Sequence, residues 1–385
     1  MDYVEVLKNL VAIDTSVPPG NNYQAAMDFL EPFFRRAGFQ TEKVPIPPEH
    51  CEGRTGRINL VCHQRNPGSH RLIFYSHVDV VPAEGWDAFK PWTEDGKIYG
   101  RGTADMKGSL VALLMALESL KGKPLPYDIS VLVTTDEEFS QASQLRYIRR
   151  FIEPVEDASV FSLDSSFGFV SIAGLGALQM DVTVKGRSVH SGLSHLGENA
   201  VEKAALLVQA LLVLKQTVVK RKSTISVHPD TGLSKMEPRL NINMIKGGLK
   251  VNIVPDECLI SIDRRLIPEE HIADAERELL NTLSSVPNVD WVVSRVFRIP
   301  TVPPSDDPAV DKLAGIIKAV TGQTGKYGEM GSGDLTVIVN NEWKAKEFGL
   351  GVIRPDCNIH GKNEFAYQKD IEAAANIIAA FLQKP

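Results

Sequence analysis

The chain has little of what would make it a secreted scaffold, a membrane protein or a nucleic-acid binder. Its 385 residues include four cysteines, Cys51, Cys62, Cys258 and Cys357, far apart and without Cys-x-x-Cys spacing. That scarcity argues against a disulfide or thiolate-zinc framework and suits a reducing cytoplasm. No apolar stretch reaches the roughly 18 residues that a membrane span requires; the longest, "AALLVQALLVL", is bounded by Lys203 and Lys215. The N-terminal "MDYVEVLKNLVAIDTS" carries Asp2 and Glu5 but no basic leader or small-residue cleavage site, and reads as a mature amphipathic helix. Basic residues are scattered apart from Lys220, Arg221 and Lys222, and the net charge is −6. That balance argues against a nucleic-acid partner and against a polybasic membrane anchor. There is no internal repeat and no low-complexity segment.

What remains is ordinary globular composition, 43% hydrophobic and 23% charged, in a chain longer than one core usually serves, so two domains are expected. Amphipathic helices are predicted near 2–11 and 22–37. "RINLVCH", "RLIFYS", "ISVLVT" and "ASVFSL" read as strands; their runs are continuously apolar, as in strands covered on both faces, and "MKGSLVALLMALESLK" between them has helical spacing. This is the β-α-β rhythm of an open, mostly parallel sheet flanked by helices.

Near residue 173 the texture changes. A strand "LQMDVTV", a helix over 199–215, strands "RLNINMI" and "ECLISID", a helix over 269–284 and a strand "VDWVVSRV" follow in the β-α-β-β-α-β order of a ferredoxin-like α+β layer. Helical patterns return in "AVDKLAGIIKAV" and "KDIEAAANIIAAFLQK". The fold class is therefore α/β, with residues 1–172 and 290–385 forming one domain and residues 173–289 inserted into it.

Ligands of open α/β sheets bind beyond the carboxyl ends of the strands. His77 and Asp79 follow "RLIFYS"; Asp136, Glu137 and Glu138 follow "ISVLVT"; Asp164 follows "ASVFSL". Asp105 lies in the turn "IYGRGTADMKG", and His360 in "CNIHGKNEF". Imidazole and carboxylate without thiolate suit Zn²⁺, or Co²⁺ or Mn²⁺, rather than a soft metal. His77, His360, Asp105, Glu138 and Asp164 supply three negative charges against four positive for two divalent ions, and a hydroxide brings the sum to zero. The adjacency of Glu137 and Glu138 then has a reason: in extended backbone neighbouring side chains diverge, so one can hold an ion while the other serves a reacting water.

With these residues in place, the chain resembles the co-catalytic zinc aminoacylase and peptidase family that includes acetylornithine deacetylase, succinyl-diaminopimelate desuccinylase, aminoacylase and glutamate carboxypeptidase. The resemblance rests on "YSHVDVVP", "IYGRGTADMKG", "TTDEEFS", "SLDSS", "GRSVHSG", "VNIVPDECLISIDRRLIP", "GSGD" and "IHGKNEF", in that order over almost the whole length. It implies that Asp105 bridges two divalent ions, with His77 and Asp164 completing one site and Glu138 and His360 the other. It further implies that Asp79 orients the His77 imidazole and that Glu137 is the general base and then acid. The peptide bond after Asp105 is commonly cis in such proteins. His190, in the inserted domain, would reach across a homodimer interface to the oxyanion, making that domain a lid and dimerisation module. Arg265, Asn252 and Gly333 would contact substrate.

Two departures stand out. "EEFSQASQ" replaces a Gly-rich stretch, and "Asp-Ser-Ser" stands where Glu-Pro-Thr is usual, shortening one ligand by a methylene. The function implied is metal-dependent hydrolysis of an N-acyl amino acid such as acetylornithine or succinyl-diaminopimelate. The alternatives are a di-, amino- or carboxypeptidase of the same family, and a non-catalytic binding or scaffold protein on the same fold.

Overall fold

The apolar runs of the N-terminal half become adjacent strands whose side chains alternate between two cores. In His70–His77, Leu72 and Phe74 face one core while Ile73 and Tyr75 face the other; in Tyr127–Thr134, Ile129, Val131 and Val133 join the first and Leu132 the second. Burial on both faces is why these runs lack polar alternation. The structure is a computed structural model and describes residues 2–384 apart from 140, 141, 324, 334 and 336–338.

The chain divides into two compact units. The larger comprises residues 1–172, 305–327 and 333–385, the smaller residues 173–304 and 328–332. The central sheet runs in the order Gln40–Pro45, Ile58–Gln64, Tyr127–Thr134, His70–His77, Ser159–Ser162, Lys346–Gly349, Val170–Gly174, Lys326–Glu329. Its middle is parallel, from Tyr127–Thr134 across to Lys346–Gly349, while Gln40–Pro45, Ile58–Gln64 and Val170–Gly174 pair antiparallel. Helices Tyr3–Ala12, Tyr23–Arg36, Gly108–Ser119, Ala309–Thr321 and Gln368–Leu382 cover one face, and Ala142–Ile152 with Trp343 the other.

In the smaller unit four antiparallel strands lie in the order Arg239–Gly247, Glu257–Leu266, Gly176–Lys185, Trp291–Ile299. Helices Ala200–Val218 and Ile272–Ser284 pack on the face presented by Leu178, Met180, Val182 and Val184. The boundary expected at 289 is corrected here. Trp291–Ile299 hydrogen-bonds along Gly176–Lys185 from Val184 to Ala177, so the unit closes only after residue 304.

Candidate metal centre

The parallel register sets the site. His77 pairs with Thr134, and Tyr75 with Ser162, so the strands ending in His77, Thr134 and Ser162 finish side by side and hand on to Asp136–Glu138 and Asp164 just beyond. Asp105 comes from the turn Thr103–Lys107, ahead of helix Gly108–Ser119, and its peptide bond to Met106 is cis. A Cβ on Gly108 would stand 2.4 Å from the Thr103 carbonyl oxygen, so only glycine lets the turn close this tightly. His360 enters from a loop, itself at φ 60.

Two groups of ligand atoms, each within 4.8 Å of one another, form among the described residues: His77, Asp105 and Asp164, and Asp105, Glu138 and His360. Asp105 belongs to both. Its Oδ1 is 3.5 Å from His77 Nε2, and its Oδ2 is 3.1 Å from His360 Nε2. His77 Nε2 is 3.8 Å from Asp164 Oδ2, and His360 Nε2 is 3.2 Å from Glu138 Oε2.

Electrostatics fit cations at both groups. His77 Nε2 is buried with no hydrogen-bond partner, which is costly unless something else accepts its lone pair. Burial pushes the Glu137 carboxyl pKa well up, and Asp164, Glu138 and Asp79 add to the rise; Glu138 is raised by burial and by Asp105. Burial works against protonation of His77, yet Asp105 and Asp79 hold its pKa well above the usual value; Asp105 and Glu138 lift His360 to about 10. Carboxylates that crowd protons onto one another and onto imidazoles form a donor set that divalent ions satisfy.

The two glutamates diverge, although by different means than expected. Glu137–Phe139 is a 3₁₀ turn, not extended backbone: the strand stops at Thr134, and Asp136 then adopts a positive φ of 65 that turns the chain. Successive 3₁₀ side chains project about 120° apart. Glu138 joins His360, while Glu137 Oε2 lies 4.0 Å from His77 Nε2. Gly333 flanks Glu137, where a Cβ would be 3.7 Å from Oε1. Asp79 meets His77 chiefly through its backbone: its carbonyl oxygen is 3.1 Å from Nδ1, against 3.5 Å for carboxylate Oδ1, while Oδ2 accepts the Glu138 N–H at 2.9 Å.

His190, Asn252 and Arg265 lie in the smaller unit. His190 is exposed and pairs with Ile253 in a two-strand ribbon, where Asn252 accepts the Ser191 N–H at 3.0 Å. The Asn252 side-chain oxygen is buried without a partner. Arg265 donates to Asp263 at 2.9 Å and to Ser332 at 3.1 Å. Sequence reasoning missed Glu364, whose fully buried carboxylate gathers three N–H groups of the Asp105 turn, and the partners of Asp136. The signals for Glu364 were its place inside the quoted motif "IHGKNEF" and at the head of the apolar "FAY".

The model of peptidase family M20/M25/M40 matches residues 73–384. An acetylornithine deacetylase of Erwinia tasmaniensis is 25% identical over 336 residues, covering 84% of this chain and 83% of its own length. A probable succinyl-diaminopimelate desuccinylase of Staphylococcus epidermidis is 28% identical over 294 residues, 70% of this chain and 68% of its own. The M20 family metallo-carboxypeptidase Sso-CP2 of Sulfolobus solfataricus superposes with a TM-score of 0.78 at 16% identity, covering 100% of this chain and 99% of its own. A family model matched over most of the chain places it in peptidase family M20/M25/M40, whose members implicate divalent metal, and makes it a hydrolase of amide bonds.

Proposed function

We propose that the protein is a dinuclear deacylase of N-acyl amino acids, with two Zn²⁺ ions per chain, or Co²⁺ or Mn²⁺, held by His77, Asp105 and Asp164 and by Asp105, Glu138 and His360. The observation that carries the reading is Asp105, one carboxylate whose two oxygens face the two histidines. Divalent ions there supply Lewis acidity for water and for an amide carbonyl. The relatives named for deacetylation and desuccinylation support an acyl rather than a peptidyl substrate.

The chain's own groups do the rest. Glu137, next to the first group but outside both, takes a proton from water and delivers it to the departing amine. Arg265 offers a guanidinium fork to a substrate carboxylate; its present partners, Asp263 and Ser332, hold the fork in one orientation. Asn252 and Gly333 contact the remainder of the substrate, and His190 donates to the oxyanion. His190 acts from a partner copy, so the functional unit is a homodimer joined through the smaller unit. Exposed apolar residues support that role: Leu206, Leu212 and Val213 on helix Ala200–Val218, and Met244 and Ile245 on the edge strand Arg239–Gly247. The buried free thiols suit a cytoplasmic setting, and no helix among the described residues is long and apolar enough to cross a membrane.

Two measurements test this reading. Glu137→Ala is expected to bind both ions and to lose about 10²–10⁴-fold in turnover; full activity would end the general-base assignment. A panel of N-acetyl, N-succinyl and dipeptide substrates assayed with each metal should favour an acylated amino acid; preference for a dipeptide would move the protein to the peptidase alternative.

A further inference from the structure

The motif that delivers His360 carries a buried acid that binding and catalysis, as described, do not use. Glu364 is fully buried, and its Oε1 accepts the N–H groups of Gly102 at 3.0 Å, Ala104 at 3.0 Å and Asp105 at 3.2 Å. Its Oε2 takes Arg101 Nη1 at 2.6 Å, and its backbone oxygen takes the Gly100 N–H at 2.9 Å. One residue thus holds the stretch 100–105 at five points, two of them on the arginine and the residue that supplies the shared ligand.

Such a turn needs an outside acceptor. Asp105 and Met106 have non-helical torsions, so the N–H groups ahead of them do not all find helical partners, and buried N–H groups without acceptors are costly. A carboxylate is the strongest acceptor available, and charge-assisted bonds to three converging N–H groups fix direction as well as distance. The other end of the tether is the His360 loop. Asn358, His360 and Asn363 all have positive φ, at 53, 60 and 55, a conformation that side-chain-bearing residues rarely hold unaided. The loop closes on itself through Gly361 N–H to Asn358 O at 2.8 Å, and beyond Glu364 it enters the strand Phe365–Tyr367, paired with Lys97–Tyr99. Glu364 is therefore where the loop of one ligand is fastened to the turn of another.

We propose that Glu364 is a positioning residue that locks the His360 loop to the Asp105 turn, so that Asp105, Glu138 and His360 stand preassembled for their ion. The proposal rests on the two-ion reading. Outer partners of metal ligands typically change affinity by about 10–100-fold, and the tether joins only one of the two groups through both of its ends. Glu364→Gln keeps the size and one acceptor oxygen but turns an amide N–H₂ toward Arg101.

The test is Zn²⁺ binding by chelator-competition calorimetry on the full chain. Wild type should take two ions, and Glu364→Gln should keep one at wild-type affinity and bind the other about 10–100-fold more weakly. Turnover of the variant should return to within a few-fold of wild type at saturating Zn²⁺, separating metal affinity from the chemical step. The double variant Glu364→Gln/His360→Ala should bind its remaining ion as His360→Ala does. Two ions at wild-type affinity in Glu364→Gln, or equal weakening of both, would overturn the tether. A wild type that takes fewer than two ions would instead remove the metal reading beneath it. If Glu364→Gln does not fold, Arg101→Gln, which leaves the three N–H bonds in place, should weaken the same ion alone; unchanged binding there counts against the proposal.

Discussion

At the scale of single residues, the three acids of "TTDEEFS" are relieved by different means. Asp136 is buried and accepts four donors: Tyr23 Oη at 2.7 Å, Arg54 Nε at 2.7 Å, Arg57 Nε at 2.8 Å and Gln144 Nε2 at 3.2 Å. Two guanidiniums thus answer the first acid, while Glu138 belongs to one candidate metal group and Glu137 lies beside the other. Arg57→Met should cost about 3 kcal/mol, because it strips one of two cations from a buried carboxylate; urea unfolding of the metal-loaded protein checks this, and a change below 1 kcal/mol would refute it. Elsewhere, burial and the guanidiniums of Arg65 and Arg71 lower the His63 pKa from 6.5 to about 4. The unfolded chain therefore binds a proton between those values that the folded chain refuses. The sign follows: this contribution to stability is complete above the unfolded value and declines as pH falls toward the folded one. Relative to His63→Asn, wild type should lose about 1–2 kcal/mol across that window, after discounting for partial exposure; parallel pH profiles for the two proteins would count against it. His77, Glu138 and Asp164 were legible because each lies at or just after the end of an apolar strand, whereas Asp105, in a glycine-containing turn, and His360, in a loop, were legible only beside them. The supports on Asp136 and Glu364 were not, since neighbouring letters do not reveal which distant arginine or backbone N–H a carboxylate will meet.

At the scale of elements, the strands that carry the site are anchored from both sides. Phe74 stacks on Phe161 at 5.1 Å between ring centres, inside the larger core. Phe74→Ala should cost about 3–5 kcal/mol through the cavity it leaves, seen as a lower urea midpoint; an unchanged midpoint would mean that this face does not carry the sheet. The same double burial made these strands readable as unbroken apolar runs. Gln40–Pro45 escaped notice because it is an edge strand in which only Val44 is buried, leaving little apolar signal. Trp92–Glu94, Lys97–Tyr99 and Phe365–Tyr367 have three residues each, too few for a period to show. The turn at Glu137–Phe139 was misread as extended because the left-handed torsion of Asp136 leaves no mark on composition.

At the scale of the whole molecule, the proposed pairing of chains makes a plain expectation. Val213 is 68% exposed and Ile245 53%; converting both to Glu should shift the sedimenting species from two chains to one and lower turnover along with it. A double variant that stays monomeric and fully active would dissociate His190 from catalysis. The alternation of Gly176–Lys185 marked the smaller unit in the sequence, and "VDWVVSRV" was read as its last strand, but the boundary at 289 was drawn ahead of that strand, whose pairing carries the unit on to residue 304. That pairing brings the entrance and exit of the insertion together: Ser305 N–H meets the Ile172 oxygen at 2.8 Å, and Gly174 bridges Val302. The main crossing thus lies at one doorway, with residues 328–332 as a second, shorter visit, so a linker from residue 174 to residue 302 preserves the strand Val170–Gly174. All five candidate ligands and Glu137 stay on the retained side of such a cut, which makes the insertion a replaceable cassette for grafting other specificities onto the same hydrolytic core.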